Sequence, residues 1–185
     1  MDQIINHVSK ARYMFGGQAH LPLVIRAAAG GGTQKGAQHS HSIESWFVNA
    51  PGIRVVMPST PYDLKGLLKT AIRSEDPVLF IEHEMLYNSK GEVPDGEYLL
   101  PFGVADIKRA GRDVTIVAWS KMVHEALRAA ELLAHARCHS ICWNGTSAGW
   151  LGFERDRELC RAIESRTGTP GAVVISARLN SRSSR

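Results

Sequence analysis

Apolar residues along the first 134 positions follow the spacing of a chain that alternates short strands with helices. Runs of four to six apolar, often β-branched residues indicate buried strands, whereas apolar residues that return every three or four positions indicate helices. In chain order these patterns predict a helix over 1–14, strands over 21–26, 53–57, 78–81 and 113–119, and helices over 43–47, 61–72 and 122–134.

The stretch from 53 to 81 carries the clearest local signals. Thr60 can cap a helix, Pro61 suits the first helical position, and Asp63 favours the positive end of the helix dipole. Strand, helix and strand in this order form a βαβ unit, which predicts a parallel sheet with a right-handed crossover. Residues 84–101 show little periodicity, so we expect a linker before a second α/β unit.

Composition excludes some classes of partner. Residues 137–185 contain eight Arg, four acidic residues and no Lys, and so carry the whole net charge of +4. This tail has no basic stripe with interleaved aromatic residues, so we expect no nucleic-acid partner. No apolar run approaches the roughly 20 residues that span a bilayer. The start of the chain has neither the basic nor the apolar segment of a signal peptide, so we expect no membrane association and a cytoplasmic location.

Most residues that could take part in binding or catalysis follow the strand at 21–26. The loop at 27–36 contains Gly30, Gly31 and Gly32 but lacks the spacing and the Lys of a phosphate-binding loop. His39 and His41 follow it, and a loop histidine beyond the end of a parallel strand suits either proton transfer or a structural role. The three cysteines all lie in the tail, at spacings that match no common zinc pattern, and are interpreted as free thiols.

Six ordered motifs and one later segment resemble a known family. That family is the beta subunit of the thiamin-diphosphate-dependent decarboxylase component of 2-oxo acid dehydrogenase complexes, of the pyruvate dehydrogenase type. The motifs are Met1–Asn6, Tyr13–Gln18, Ala37–Ser40, Pro51–Pro58, Asp63–Leu68 and Asp76–Val78, and the later segment is Gly111–Ala118.

The resemblance implies an α/β fold of two parts. Residues 1–90 would be the C-terminal half of a thiamin-binding, pyrimidine-type domain with a parallel sheet. A linker over 91–106 would lead to an incomplete transketolase C-terminal-like domain over 107–185, with an aberrant tail from about 137. The resemblance therefore implies a fragment truncated at both ends.

The resemblance also implies an activity and its partners. A family member pairs with an alpha subunit, usually as a two-plus-two heterotetramer, and thiamin diphosphate with magnesium is shared between the subunits. The enzyme oxidatively decarboxylates a 2-oxo acid and transfers the acyl group to a lipoyl group on the acyltransferase component. Pyruvate, acetoin and branched-chain 2-oxo acids all remain open as substrates.

The same resemblance also implies roles for individual residues. His39 matches the family's catalytic histidine, whose expected role is to position substrate or lipoamide and to move protons during acyl transfer. A structural potassium site, built largely from backbone carbonyls, would fall on Leu23, Ala71, Ile72, Ser74 and Asp76. Ser74 stands where the family often has an acidic residue.

The glutamate that activates the cofactor lies, in the family, upstream of the residue that matches Met1. We therefore expect no cofactor-binding residue in this chain and no decarboxylation by the chain alone. A catalytically dead fragment that only binds an alpha-like subunit is the alternative.

Overall fold

The computed structural model describes residues 1–111 and 115–136 and the strand at 173–176. The helices are α1 (Ala11–Met14), α2 (Glu44–Val48), α3 (Pro61–Ile72) and α4 (Lys121–Ala136). The strands are β1 (Val24–Ala29), β2 (Arg54–Val56), β3 (Val78–His83), β4 (Asp106–Ala110), β5 (Ile116–Ala118) and β6 (Val173–Ser176). A π-helical segment at Gln3–Val8 precedes α1, and a 3-10 turn at Glu84–Leu86 follows β3.

The first sheet is parallel and has the order β1-β3-β2. Val24 pairs with Val78 and Ala29 with His83, while Arg54 pairs with Val78 on the other side of β3. Strand β3 is therefore central, and its residues from Val78 to Glu82 are all buried. The predicted βαβ unit is confirmed in β2, α3 and β3.

Both faces of this sheet are covered, as parallel sheets require. On one face, α3 packs Leu67 and Ala71 against Val56, Val78 and Phe80. The opposite face is formed by Val55, Leu79 and Ile81, against which Phe47 of α2 packs. Ile4 and Ile5 of the π-helical segment add partly buried side chains to that second layer.

Helix α3 begins as its sequence predicts. The Thr60 hydroxyl accepts a hydrogen bond from the Asp63 amide at 3.1 Å, and Pro61 occupies the first helical position. This cap satisfies one of the amides that lack an intrahelical partner at a helix N-terminus. The helix thus starts directly after β2, and its N-terminus faces the carboxyl edge of the sheet.

Two predicted elements of the first unit depart most from the structure. The helix expected over 1–14 is divided at Ser9, where the amide bonds to the Ile4 carbonyl at 3.0 Å and the hydroxyl bonds to the Ile5 carbonyl at 2.5 Å. Strand β1 begins only at Val24, after the Leu23 amide bonds back to the Leu21 carbonyl at 2.8 Å. It continues to Ala29, because β3 offers a partner as far as His83.

The second unit forms a separate sheet with the order β4-β6-β5, in which β6 is antiparallel to β4 and parallel to β5. Its α4 lies against the first unit. The His124 Nε2 atom is 2.7 Å from the Ser59 carbonyl oxygen, and Trp119 packs on the first core. Among the described residues, no helix is long and apolar enough to cross a membrane. The cysteines lie outside the described residues.

Candidate functional site

The candidate functional residues lie at the carboxyl edge of the first sheet. Strand β1 ends there at Ala29, and residues 30–42, which we call the His39 loop, follow it. The loop closes on itself, because the Gly30 amide donates to the His41 carbonyl at 2.9 Å and the Gly31 amide donates to the Ser42 hydroxyl at 3.3 Å. Ligands in parallel sheets bind beyond this edge, so the loop stands where a site is expected.

A hydroxyl pair fixes the inside of the loop. The Thr33 hydroxyl donates to the Ser40 hydroxyl at 2.9 Å and lies 3.3 Å from the His39 carbonyl oxygen. The Lys35 amide also donates to the Ser40 hydroxyl, at 3.0 Å. Residues 33–35 and 39–40 are thereby tied together.

The two loop histidines have different environments. The ring of His41 contacts Trp46 with centroids 5.6 Å apart, so His41 takes part in packing. His39 is exposed, and its ring has no hydrogen-bond partner among the described residues. An exposed imidazole at the carboxyl edge is free to meet a substrate or a partner's group, which is the arrangement that proton transfer needs.

The end of β3 meets the loop at His83 and Glu84. The His83 ring lies over Gly30, where a Cβ atom would come within 2.5 Å of the ring carbon Cε1. The Nδ1 atom of His83 accepts the Met85 amide hydrogen at 3.3 Å. The Glu84 carboxylate forms an ion pair with Lys35 of the loop. Burial and the nearby Lys121 lower the pKa of His83, against the opposing effect of Glu84, so the ring is neutral near pH 7.

A buried carboxylate lies next to this contact. Glu82 is 7% exposed and accepts a hydrogen bond from Arg26 of β1 at 2.6 Å. Partial burial and the Glu82 carboxylate, which accepts its hydrogen bond, raise the pKa of Tyr87. Glu82, His83 and Tyr87 line a cavity of about 190 Å³, together with Ser59 and Thr60 at the start of α3.

The residues expected to hold potassium do lie near one another. The Leu23 carbonyl accepts the Val78 amide at 2.8 Å, and the Ala71 carbonyl accepts the Ser74 amide at 3.1 Å. The Ser74 hydroxyl donates to the Asp76 carbonyl at 3.0 Å. Ile72 is the last residue of α3, directly before this loop.

The side chain of Asp76 has other partners. Its carboxylate pairs with Arg12 at 2.7 Å and with Arg54 at 3.2 Å. Two guanidinium groups already neutralise it, so only carbonyl and hydroxyl oxygens of this loop are left for a monovalent cation. The potassium site stays a prediction.

The described residues at the carboxyl edge of the first sheet do not by themselves fit thiamin diphosphate with magnesium. They contain no cluster of three His, Cys, Asp or Glu residues that could hold a metal. Glu82 and Glu84, two carboxylates at this edge, are held by cations: Glu82 by Arg26 and Glu84 by Lys35. The 190 Å³ cavity is also below the roughly 300–1,000 Å³ usual for cofactor pockets. We therefore derive no step through the cofactor.

Sequence reasoning missed the partners of the loop. Lys35, Arg26 and Glu82 give no signal on their own, and the sequence Glu82-His83-Glu84 predicts only a solvated or hydrogen-bonded strand end at His83. The hydrogen bond from the Met85 amide confirms the second of those options. The contact with Gly30 had one detectable sign, a glycine directly after a buried strand, where another backbone or ring can approach closely.

Comparison with known proteins agrees with this arrangement. The family described as "Transketolase, pyrimidine binding domain" matches residues 2–90, and "Transketolase, C-terminal domain" matches residues 103–142. A solved structure of a split-gene transketolase, an inactive beta4 tetramer, aligns over 96% of this chain and 44% of its own, with a TM-score of 0.61 and 20% identity. That likeness supports the fold.

Curated relatives are more similar in sequence. The beta subunit of acetoin:2,6-dichlorophenolindophenol oxidoreductase from Cupriavidus necator is 56% identical over 133 residues, 72% of this chain and 39% of the relative. The 2-oxoisovalerate dehydrogenase beta subunit from Bacillus subtilis is 52% identical over 72% of this chain and 41% of its own. The pyruvate dehydrogenase E1 beta subunit from Porphyra purpurea is 48% identical over 71% and 40%.

The chain thus spans about two-fifths of the length of the curated relatives it matches. Those relatives differ in the substrate that their names give, yet all three are named as beta subunits. The chain belongs to the transketolase family, of which it carries the pyrimidine-binding and C-terminal domains, and it is similar in sequence to proteins named as beta subunits of acetoin, 2-oxoisovalerate and pyruvate enzymes.

Proposed function

We propose that this chain is part of the beta subunit of a pyruvate dehydrogenase (acetyl-transferring), and that His39 moves protons while the acyl group passes to a lipoyl group. The observation that carries the proposal is the exposed His39 ring, presented at the carboxyl edge of the sheet by a loop with internal hydrogen bonds. Family membership supports a thiamin-dependent reaction at this edge.

The proposal also assigns partners. An alpha subunit would complete the cofactor site, supplying the groups for diphosphate and magnesium that the described residues lack. The proposal includes a two-plus-two heterotetramer, a lipoyl acyltransferase component as a further partner, and a 2-oxo acid as the small-molecule substrate. The isolated chain, without that partner, would be inactive.

A second candidate substrate is favoured by one observation. The relative that is named for acetoin is 56% identical to this chain, above the 48% of the pyruvate dehydrogenase relative. In both substrates the bond that breaks joins the carbonyl carbon to the leaving carbon, which is the carboxylate carbon of pyruvate or the hydroxyl-bearing carbon of acetoin, so the same histidine could serve either. Substrate choice is therefore an experimental question for the assembled enzyme.

The test uses the full-length gene product assembled with its alpha subunit. Reduction of dichlorophenolindophenol is measured with pyruvate, 2-oxoisovalerate and acetoin, and acyl transfer is measured with a lipoyl domain. We expect pyruvate to give the highest kcat/KM and His39→Ala to lower acyl transfer about 10²–10⁴-fold, as for other general acid–base groups.

His20→Ala is the matched control, because His20 is also exposed but pairs with Glu75, outside the His39 loop. It should leave both activities within twofold of wild type. Acyl transfer by His39→Ala within twofold of wild type would assign His39 a structural role. A higher kcat/KM with acetoin would replace pyruvate by the second candidate.

A further inference from the structure

His83, the last residue of β3, and Glu84, which follows it, hold the His39 loop at two separated points. At the base of the loop, the His83 ring covers Gly30, whose φ of +136° is open to glycine but rare for other residues. Further along, Lys35 reaches the Glu84 carboxylate across 49 residues of sequence. Both anchoring residues directly follow Glu82, at the end of the central strand.

Hydrogen bonds connect Lys35 to the backbone next to His39. The Lys35 amide donates to the Ser40 hydroxyl at 3.0 Å, and the Thr33 hydroxyl donates to the same oxygen at 2.9 Å. Ser40 directly follows His39 in the chain. Fixing Lys35 therefore fixes the backbone that carries the His39 ring.

The two members of the Lys35–Glu84 ion pair differ in their exposure to solvent. The side chain of Glu84 is 17% exposed, whereas that of Lys35 is 59% exposed. A carboxylate that is mostly withdrawn from water needs its cation partner more than an exposed one does. The loop also contains Gln34, whose φ of +58° is unusual for a residue with a side chain and has to be held by its surroundings.

We infer that Lys35 and Glu84 are positioning residues, which act through the His39 loop to hold the His39 ring at the carboxyl edge of the sheet. Neither residue is assigned contact with substrate. The functional part of this inference rests on the proposed function, whereas the structural part concerns the chain alone. Two measurements separate them.

The first measurement is amide hydrogen exchange of the 185-residue chain. Glu84→Gln and Lys35→Gln should each raise exchange over residues 33–41 about threefold, the size of effect that a partly exposed ion pair has. The double variant with Lys35→Glu and Glu84→Lys should return it to within twofold of wild type. Glu97→Gln, which removes the exposed pair with Arg73, is the control and should leave the loop unchanged.

The second measurement uses the assembled enzyme. Glu84→Gln should lower kcat for lipoyl acylation about three- to tenfold, with KM for the 2-oxo acid within twofold, and the charge-exchanged double variant should restore kcat. Because kcat is expressed per folded, assembled enzyme, a stability defect without a positioning role would leave it unchanged.

The outcomes are distinct. Unchanged exchange in both single variants, or no restoration in the double variant, would overturn the inference. Wild-type enzyme that acts on neither 2-oxo acids nor acetoin would overturn the proposed function, while the exchange data would still decide whether the ion pair holds the loop. Restored exchange without restored kcat would overturn the positioning role.

Discussion

The sharpest structural prediction concerns Gly30→Ala at the base of the His39 loop. The new Cβ atom would stand 2.5 Å from Cε1 and 2.6 Å from Nδ1 of His83, so the ring has to move. Moving it disturbs the 3.3 Å hydrogen bond that Nδ1 accepts from the Met85 amide. A residue with a side chain would also adopt φ of +136° with strain.

These effects can be summed approximately. Backbone strain of this kind costs about 1–3 kcal/mol, and a weakened hydrogen bond costs about 1 kcal/mol. We therefore expect Gly30→Ala to lower the free energy of unfolding by about 2–4 kcal/mol, which corresponds to roughly 5–15 °C in Tm for a chain of this size. Urea unfolding followed by tryptophan fluorescence measures the change.

A double-mutant cycle separates the two causes. In a His83→Ala background the ring is absent, so Gly30→Ala should cost about 1 kcal/mol less than in wild type, a coupling typical of contacting residues. Gly96→Ala is the control, because its Cβ would meet no atom within 4 Å and its change should stay within about 0.5 kcal/mol. A loss below that value for Gly30→Ala, or no coupling to His83, would refute the reasoning.

Three further predictions test other parts of the structure. Gly52→Ala would place Cβ 1.8 Å from the Ser9 carbonyl oxygen at φ of +96°, and should lower the free energy of unfolding, measured in urea, by about 2–5 kcal/mol. Gly17→Ala should cost less, because Gly17 has φ of +82° but no atom within 4 Å of the new Cβ. Equal losses of stability in the two variants would contradict this. The pKa of His83 is lowered from 6.5, so near this pH the unfolded chain binds a proton that the folded chain does not, and stability should fall as pH drops below 6.5. His83→Asn should reduce the dependence of the free energy of unfolding on pH between pH 7.5 and 5.5. An unchanged dependence would exclude His83 as its source. If potassium binds the carbonyls of the 71–76 loop, Tm of the full-length form should be higher in potassium chloride than in choline chloride at equal ionic strength, and equal values would eliminate a stabilising site.

Local signals made some helices and strands predictable from the sequence. The start of α3 was predictable because Thr60 and Asp63 are three residues apart, so donor and acceptor meet within one turn. The strand at 78–81 was predictable because a central parallel strand is buried on both faces and therefore forms one apolar run, whereas its extension through Glu82 and His83 was not predicted. In both cases the cause of the structure lies inside the segment.

Other features depend on distant partners. The extension of β1 to Ala29 requires pairing with His83, and nothing between Ala27 and Ala29 indicates where β3 will end. The break at Ser9 coincides with the close approach of Gly52, 43 positions away in the printed sequence. A helical pattern over 1–14 cannot show that a turn from another part of the fold will occupy its surface.

The sequence Glu82-His83-Glu84 illustrates the same limit at the candidate site. Its three polar residues in a row look like a solvated strand end, but successive side chains of a strand point to opposite faces. Glu82 meets Arg26 on one face, His83 covers Gly30 on the other, and Glu84, where the strand ends, meets Lys35. Each contact joins β3 to β1 or to the loop that follows β1. The three interactions therefore exist only because β3 lies next to β1 in the sheet, although β2 lies between them in the sequence.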